Sequence, residues 1–243
     1  MAKLLEAQGI TKKFGGLVAL NDLSFHVEEG EVLGLIGPNG SGKTTVFNII
    51  MGDFSPDSGK ILFKGEDITN LPTHQRVRMG IARTYQVPRP FKEMTIFEDV
   101  RISTVSPSII GCLTEKVMVY DAVIKKILED VGLGGRFSMY PHELTMGDLR
   151  RVELAKALAT NPRMVLLDEI FAGLTVAEIE EIDKLLIRKR EEEGLDFIVV
   201  SHDLKALAPL VDRVVVIHFG QFIAEGPFDQ IVNDEKVKKA YLG

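Results

Sequence analysis

The chain has 243 residues, 45% of them hydrophobic and 26% charged, with a formal net charge of −6. That length allows one generous core, with or without an inserted lobe, and the acidic balance argues against a dedicated nucleic-acid binder, which needs a basic face to neutralise phosphate. Cys112 is the only cysteine, so no internal disulfide can form and a reducing compartment fits best.

From the N-terminus, MAKLLEAQGITKKF shows neither the apolar core nor the cleavage site of a secretory signal. No apolar run approaches the roughly 20 residues that span a bilayer, so work at a membrane is expected to pass through a partner. VLGLI (32–36) is a short continuous apolar run, the pattern of a strand buried on both faces. GPNGSGKTT follows at once and matches G-x-x-x-x-G-K-[ST] between a strand and a helix, the context this motif requires. Gly37, Gly40 and Gly42 let the backbone curl so that successive N–H groups face an anion, and Pro38, Asn39, Ser41 and Thr45 complete the loop. The helix that follows turns its positive end to the same place. Lys43 is expected to reach the β- and γ-phosphates of a nucleoside triphosphate, and the Thr44 hydroxyl to ligate Mg²⁺.

Residues 94–159 differ from their flanks. They carry no strong strand signal, and Val123, Ile124, Ile127, Leu128 and Val131 recur at helical spacing. The stretch reads as a helical lobe inserted into a sheet, with Pro88 and Pro90 stiffening its entry and Asn161-Pro162 closing its exit. Two capping boxes, Thr95 with Glu98 and Thr175 with Glu178, announce helix starts. MVLLD (164–168), FIVV (197–200) and VVVI (214–217) repeat the buried-strand pattern, with helical patterns between them, so an α/β fold with a mostly parallel sheet is expected. Asp168 ends one such strand at the ligand-binding edge of the sheet, where it can serve a Mg²⁺ shell. The adjacent Glu169 can orient or deprotonate an attacking water, and His202, at the end of another strand, is placed to contact a γ-phosphate. The EEE at 191–193 is a solvated helix end before Gly194.

The order of GPNGSGKT, RTYQ (83–86), LTMGD (144–148), MVLLDE, AGLT (172–175) and SHD over the whole chain resembles the nucleotide-binding subunits of ABC transporters. The resemblance implies a P-loop NTPase, RecA-like core (1–93 and 160–243), an antiparallel β-subdomain, and a helical subdomain (94–159) carrying the signature. It assigns catalysis to Glu169, His202 and Lys43, with ATP and Mg²⁺ as cofactors. Gln86 would join Thr44 and Asp168 at the metal and sense the membrane subunit. Phe14 would stack on adenine, with Val18 beside it. Leu144, Thr145, Met146, Gly147 and Asp148 stand where the family has LSGGQ, the contact to ATP held by the opposite subunit. Thr145 keeps the hydroxyl and can cap the helix, whereas Met146 adds bulk and the Asp148 charge would oppose a nearby phosphate. Ile170 and Thr175 also depart from the family's usual proline and aspartate, which bears on coupling between two sites.

A narrower resemblance, carried by FGGLVALNDLSF, GIARTYQVPRPFKEMTIFEDV, FAGL, IAEGP and KVKKAYLG, is to the ATPase subunits of branched-chain amino-acid importers. Urea or amide importers and lipopolysaccharide exporters share much of the phrasing. The implied partners are integral membrane permease subunits, a second ABC ATPase subunit as homo- or heterodimer, and a substrate-binding protein reached through the complex. The implied location is peripheral, on the cytoplasmic face of the membrane. A DNA-repair or translation ATPase would carry coiled-coil insertions, a second fused unit or basic arms, and a P-loop kinase would need neither signature nor His202.

Overall fold

The computed structural model describes residues 2–104 and 116–242; Cys112 and the remainder of the 94–159 stretch between 105 and 115 lie outside the described residues. Among the described residues, ten strands form two sheets. The first pairs β1 (Lys3–Phe14), β2 (Leu17–Glu28), β4 (Ser58–Phe63) and β5 (Glu66–Asp67) in the antiparallel order β2-β1-β4-β5. The second contains β3 (Val32–Ile36), β6 (Ile81–Arg83), β7 (Met164–Asp168), β8 (Asp196–Val200), β9 (Arg213–His218) and β10 (Gln221–Gly226). Its order is β10-β9-β3-β8-β7-β6, parallel throughout except for the β9–β10 hairpin.

The continuous apolar runs are explained by burial on both faces. Leu33, Leu35, Met164, Leu166, Ile198, Val200, Val215 and Ile217 point to one side of the second sheet. There they pack with α1 (Lys43–Met51) and the inner face of the antiparallel sheet. Val32, Ile36, Val165, Leu167, Phe197, Val199, Val214 and Val216 alternate to the opposite side. A strand with two apolar neighbourhoods cannot alternate with polar residues.

The short α2 (Thr73–Arg78) lies before β6, and between β6 and β7 run α3 (Ile96–Ser103), α4 (Lys116–Asp130) and α5 (Met146–Ala159). Among the described residues no strand interrupts them. Ile124, Ile127, Leu128 and Val131 of the α4 region are buried against α3 and α5, but Val123, expected on the same stripe, is 47% exposed. It lies one position off the apolar face. The capping boxes at Thr95 and Thr175 form as the sequence predicts, the latter opening α6 (Val176–Glu193), which Gly194 closes in the left-handed conformation. Beyond β8 come α7 (Leu204–Leu207), α8 (Phe228–Ile231) and α9 (Glu235–Leu242).

One buried cation joins α1 to the segment that follows β5. Arg76, 1% exposed, donates to the carbonyls of Ile49 (2.6 Å) and Ile50 (2.9 Å) at the end of α1, and to those of Thr69 and Leu71 (2.8 Å each) beside the antiparallel sheet. Burial lowers its pKa from the ordinary arginine value, with Asp53 acting against that.

Candidate nucleotide site

A cleft of about 350 Å³ opens at the carboxyl ends of the parallel strands, where such sheets bind ligands. The loop between β3 and α1 forms its floor. At Gly37 a β-carbon would lie 2.1 Å from the Ile217 carbonyl oxygen of β9, so only glycine allows the loop to turn there. α1 begins after Gly42, which is left-handed and offers no side-chain cap, and no acidic residue occupies its first turn. Its first N–H groups are thus free of side-chain acceptors and turned to the cleft, as an anion site requires. Lys43, buried among these residues, donates from Nζ to the carbonyls of Gly37 (2.7 Å) and Pro38 (3.0 Å). Desolvation lowers its pKa, opposed by the charges of Glu169 and Asp168.

Asn39, Gly40, Ser41, Gly42, Thr44 and Thr45 line the same cleft. So do Gln86, Asp168 and Glu169 on one side and Phe14, Val18 and Phe219 on another. Phe14 is 41% exposed, edge-on to Phe54 at 5.2 Å between ring centres, and is not a core residue. Val18 is likewise exposed at 42%.

The acidic side of the cleft is tightly tied. Asp168 Oδ2 pairs with buried Arg83 at 2.7 Å, and Arg83 also donates to Asn48 of α1 at 2.5 Å. Glu169 has φ of 52°, a left-handed backbone unusual for a side-chain-bearing residue and of the kind that gathers at functional sites. The turn aims its carboxylate across to β8. His202 Nδ1 lies 2.6 Å from Glu169 Oε2, a separation that needs a proton between them, and the His202 backbone N–H adds a 3.3 Å bond to the same oxygen. The imidazole itself is 66% exposed and does not line the cleft directly; it reaches the site through Glu169, with Nε2 free of this contact. Its tie to Glu169 was not visible in the sequence, since the two residues are far apart along the chain.

Thr44, Gln86 and Asp168 offer a hydroxyl, an amide and a carboxylate oxygen around one cleft. Among the described residues no group of three or more His, Cys, Asp or Glu could hold a metal unaided. That donor set fits Mg²⁺, which takes most of its ligands from phosphate and water.

The LTMGD residues do not line the cleft. Thr145 is the N-cap of α5, accepting from Asp148 N–H (3.1 Å), while the Asp148 carboxylate accepts from the Thr145 hydroxyl (2.9 Å) and N–H (3.3 Å). Arg136 pairs with the other Asp148 oxygen at 2.8 Å. The charge expected to confront a phosphate is therefore folded back into its own helix start and neutralised. Gly147 is buried, Leu144 packs partly against the core and Met146 stands 57% exposed. Farther along α5, Glu153 accepts the Arg89 N–H (3.0 Å) and Lys156 donates to the Arg89 carbonyl (3.2 Å), tying the segment after Gln86 to the helix that LTMGD begins.

The family described as ABC transporter matches residues 20–172, well over half of the chain. The chain belongs to the ABC transporter family. This ABC ATPase is 37% identical to the high-affinity branched-chain amino acid transport ATP-binding protein BraF of Pseudomonas aeruginosa, over 99% of this chain and 98% of that protein. It is 35% identical to the lipopolysaccharide export ATP-binding protein LptB of Acidithiobacillus ferridurans, over 100% and 98%. Its residues 223–243 match the description branched-chain amino acid ATP-binding cassette transporter. A solved nucleotide-free ATP-binding cassette from an ABC transporter superposes with a TM-score of 0.89 at 33% identity, covering 99% of both chains. The ABC ATPase therefore has the mixed α/β cassette fold, binds nucleotide and hydrolyses ATP as a transporter subunit. No helix of the described residues is long and apolar enough to cross a membrane.

Proposed function

We propose that this ABC ATPase powers the import of branched-chain amino acids from the cytoplasmic face of the membrane. The observation that carries the substrate class is the C-terminal match at residues 223–243, in keeping with relatives such as BraF. Its partners are integral permease subunits, a second ATPase subunit and, through the complex, a substrate-binding protein. The exposed apolar run Tyr85, Val87 and Phe91 beside Gln86 supports permease docking there, because buried-type side chains at a surface mark an interface. The organisation is one ATPase unit, with 1–93 and 160–243 as the core and 94–159 as the helical subdomain.

Phe14 supplies a face for the adenine and Val18 an apolar wall. Lys43 exchanges its loop carbonyls for β- and γ-phosphate oxygens, joined by the N–H groups of residues 39–45. Mg²⁺ held by Thr44, Gln86 and Asp168 would neutralise charge spread over the β- and γ-phosphates. Glu169 orients an attacking water and draws its proton, its Oε2 held by His202 while Oε1 stays available. His202 offers Nε2 toward the γ-phosphate. LTMGD of one subunit closes over the ATP of the other through the Thr145 and Gly147 region. The Glu153 and Lys156 grip on Arg89 carries that closure to the permease contact.

The test is gentle affinity purification of the tagged chain from native membranes, with mass spectrometry of what accompanies it. Two membrane proteins, a second ATPase and an amino-acid-binding protein are expected. The 35% identity to LptB favours lipopolysaccharide export as a second reading, and recovery of export components instead would replace the importer. Recovery of ribosomes or nucleic acid would sink both.

A further inference from the structure

Phe219 is an aromatic residue in a place that ordinarily suits another kind. It occupies the tight turn between β9 and β10 with φ of 47°, followed by Gly220 at 72°. Such a two-residue hairpin favours Asn or Asp followed by Gly, and a bulky side chain in the left-handed region is strained. The ring gains little burial in return: Phe219 is 77% exposed, the most exposed of the large hydrophobic residues described, with its ring 4.2 Å from the His218 ring between centres. Nothing in the fold accounts for phenylalanine there.

The turn is held firmly against the nucleotide loop. Gly220 N–H donates to the Ser41 carbonyl (2.9 Å), its own carbonyl accepts from Asn21 N–H (2.9 Å), and a β-carbon on Gly220 would meet the Ala19 carbonyl oxygen at 2.3 Å. Phe219 is thereby fixed as a wall of the cleft on the side of Val18 and Ala19, the side that also presents Phe14. The opposite side carries the carboxylates and Gln86, so the two aromatic rings mark the apolar end, away from the phosphate-handling groups.

We propose that Phe219 is a second nucleotide-contacting residue, packing its ring on the base or the adjoining sugar face of bound ATP and ADP. The proposal rests on the reading of this cleft as the nucleotide site. An aromatic face binds any base without hydrogen-bond readout, so the contact adds affinity with little choice between purines. Backbone strain retained for an exposed ring is then the cost of a ligand contact.

The experiment compares the parent chain with Phe219→Asn and Phe219→Tyr by calorimetric titration of MgADP and of inorganic tripolyphosphate, with thermal melts alongside. Asparagine relaxes the turn, so Phe219→Asn should melt at or above the parent temperature while binding ADP roughly 5- to 160-fold more weakly, the range that aromatic stacking supplies. Tripolyphosphate, which has no base, should bind both chains alike, and Phe219→Tyr should restore ADP affinity. Unchanged ADP affinity in a folded Phe219→Asn chain would overturn the proposal, as would equal weakening of ADP and tripolyphosphate. A parent chain that binds neither ligand would instead remove the nucleotide reading of the cleft, and the proposal with it.

Discussion

Two helix starts in this molecule carry a hydroxyl, a glycine and a backbone turn, yet they are finished in opposite ways. α1 begins behind left-handed Gly42 with no side-chain cap and no acid in its first turn. α5 begins behind Thr145 and closes on itself, Asp148 and Thr145 exchanging hydrogen bonds while Arg136 takes the remaining charge. The first leaves its orphan N–H groups for a ligand, and the second satisfies part of that demand internally. A helix N-terminus attracts anions only to the extent that its own sequence has not already supplied one. α1 is thus expected to bind phosphate alone, and α5 to contribute only when another subunit brings phosphate to it.

The sharpest way to break this comparison is at the acid beside α1. Glu169→Gln should keep ATP affinity and lose about 10²–10⁴-fold in hydrolysis, the contribution of a positioned base. Steady-state phosphate release decides it, and a parental rate would remove Glu169 from the chemistry. Lys43→Ala should weaken ATP binding by about 10- to 100-fold, as loss of charge-assisted hydrogen bonds does. An unchanged titration curve would refute the phosphate role of this helix start.

A carboxylate with no helix start to serve sharpens the contrast. Glu178 closes the box that opens α6, and its pKa is lowered, chiefly by the Thr175 backbone hydrogen bond. Asp183, mid-helix and 8% exposed, has its pKa raised to about 6 by burial, with Glu180 adding to it. The folded state therefore holds the Asp183 proton more tightly than the unfolded one. Stability from this group is full below pH 3.8 and is lost as pH rises toward about 6. Asp183→Asn should raise stability by about 1–3 kcal/mol at pH 8 and by little at pH 4. Urea melts at the two pH values check it, and an equal gain at both would show that charge is not the cause.

The smallest effect is at α5 itself. Asp148→Ala should cost about 0.3–1 kcal/mol of stability through the lost half of the capping box, and leave ATP binding to the isolated chain unaltered. Weakened binding in the monomer would mean that α5 reaches its own subunit's cleft.

The parallel strands were legible because burial on both faces writes unbroken apolar runs, and VLGLI and MVLLD coincide with β3 and β7 residue for residue. The antiparallel sheet was not legible from periodicity. β1 and β2 pair through several register shifts, which scramble the alternation that would have announced them. The loop at 37–45 carries its geometry in glycines and could be read directly. Glu169 could be named as a candidate, but its left-handed backbone and its contact with His202 arise from chain segments that meet only in the fold. The capping box at Asp148 was less legible because an aspartate closes it in place of the glutamate at Thr95 and Thr175, and because Arg136 lies outside any motif. Arg83 stands inside RTYQ, but its pairing with Asp168 joins segments 85 residues apart and arises only in the fold.

Arg76 has a consequence for how the molecule comes apart. Its guanidinium is satisfied by four carbonyls drawn from two places, the end of α1 and residues 69–71, with no water-exposed alternative. Separating residues 69–71 from α1 would break these hydrogen bonds together, in addition to parting the apolar core that α1 shares with both sheets. The two sheets should therefore unfold as one cooperative unit, and amide hydrogen exchange in α1 and in β4 should report the same opening free energy.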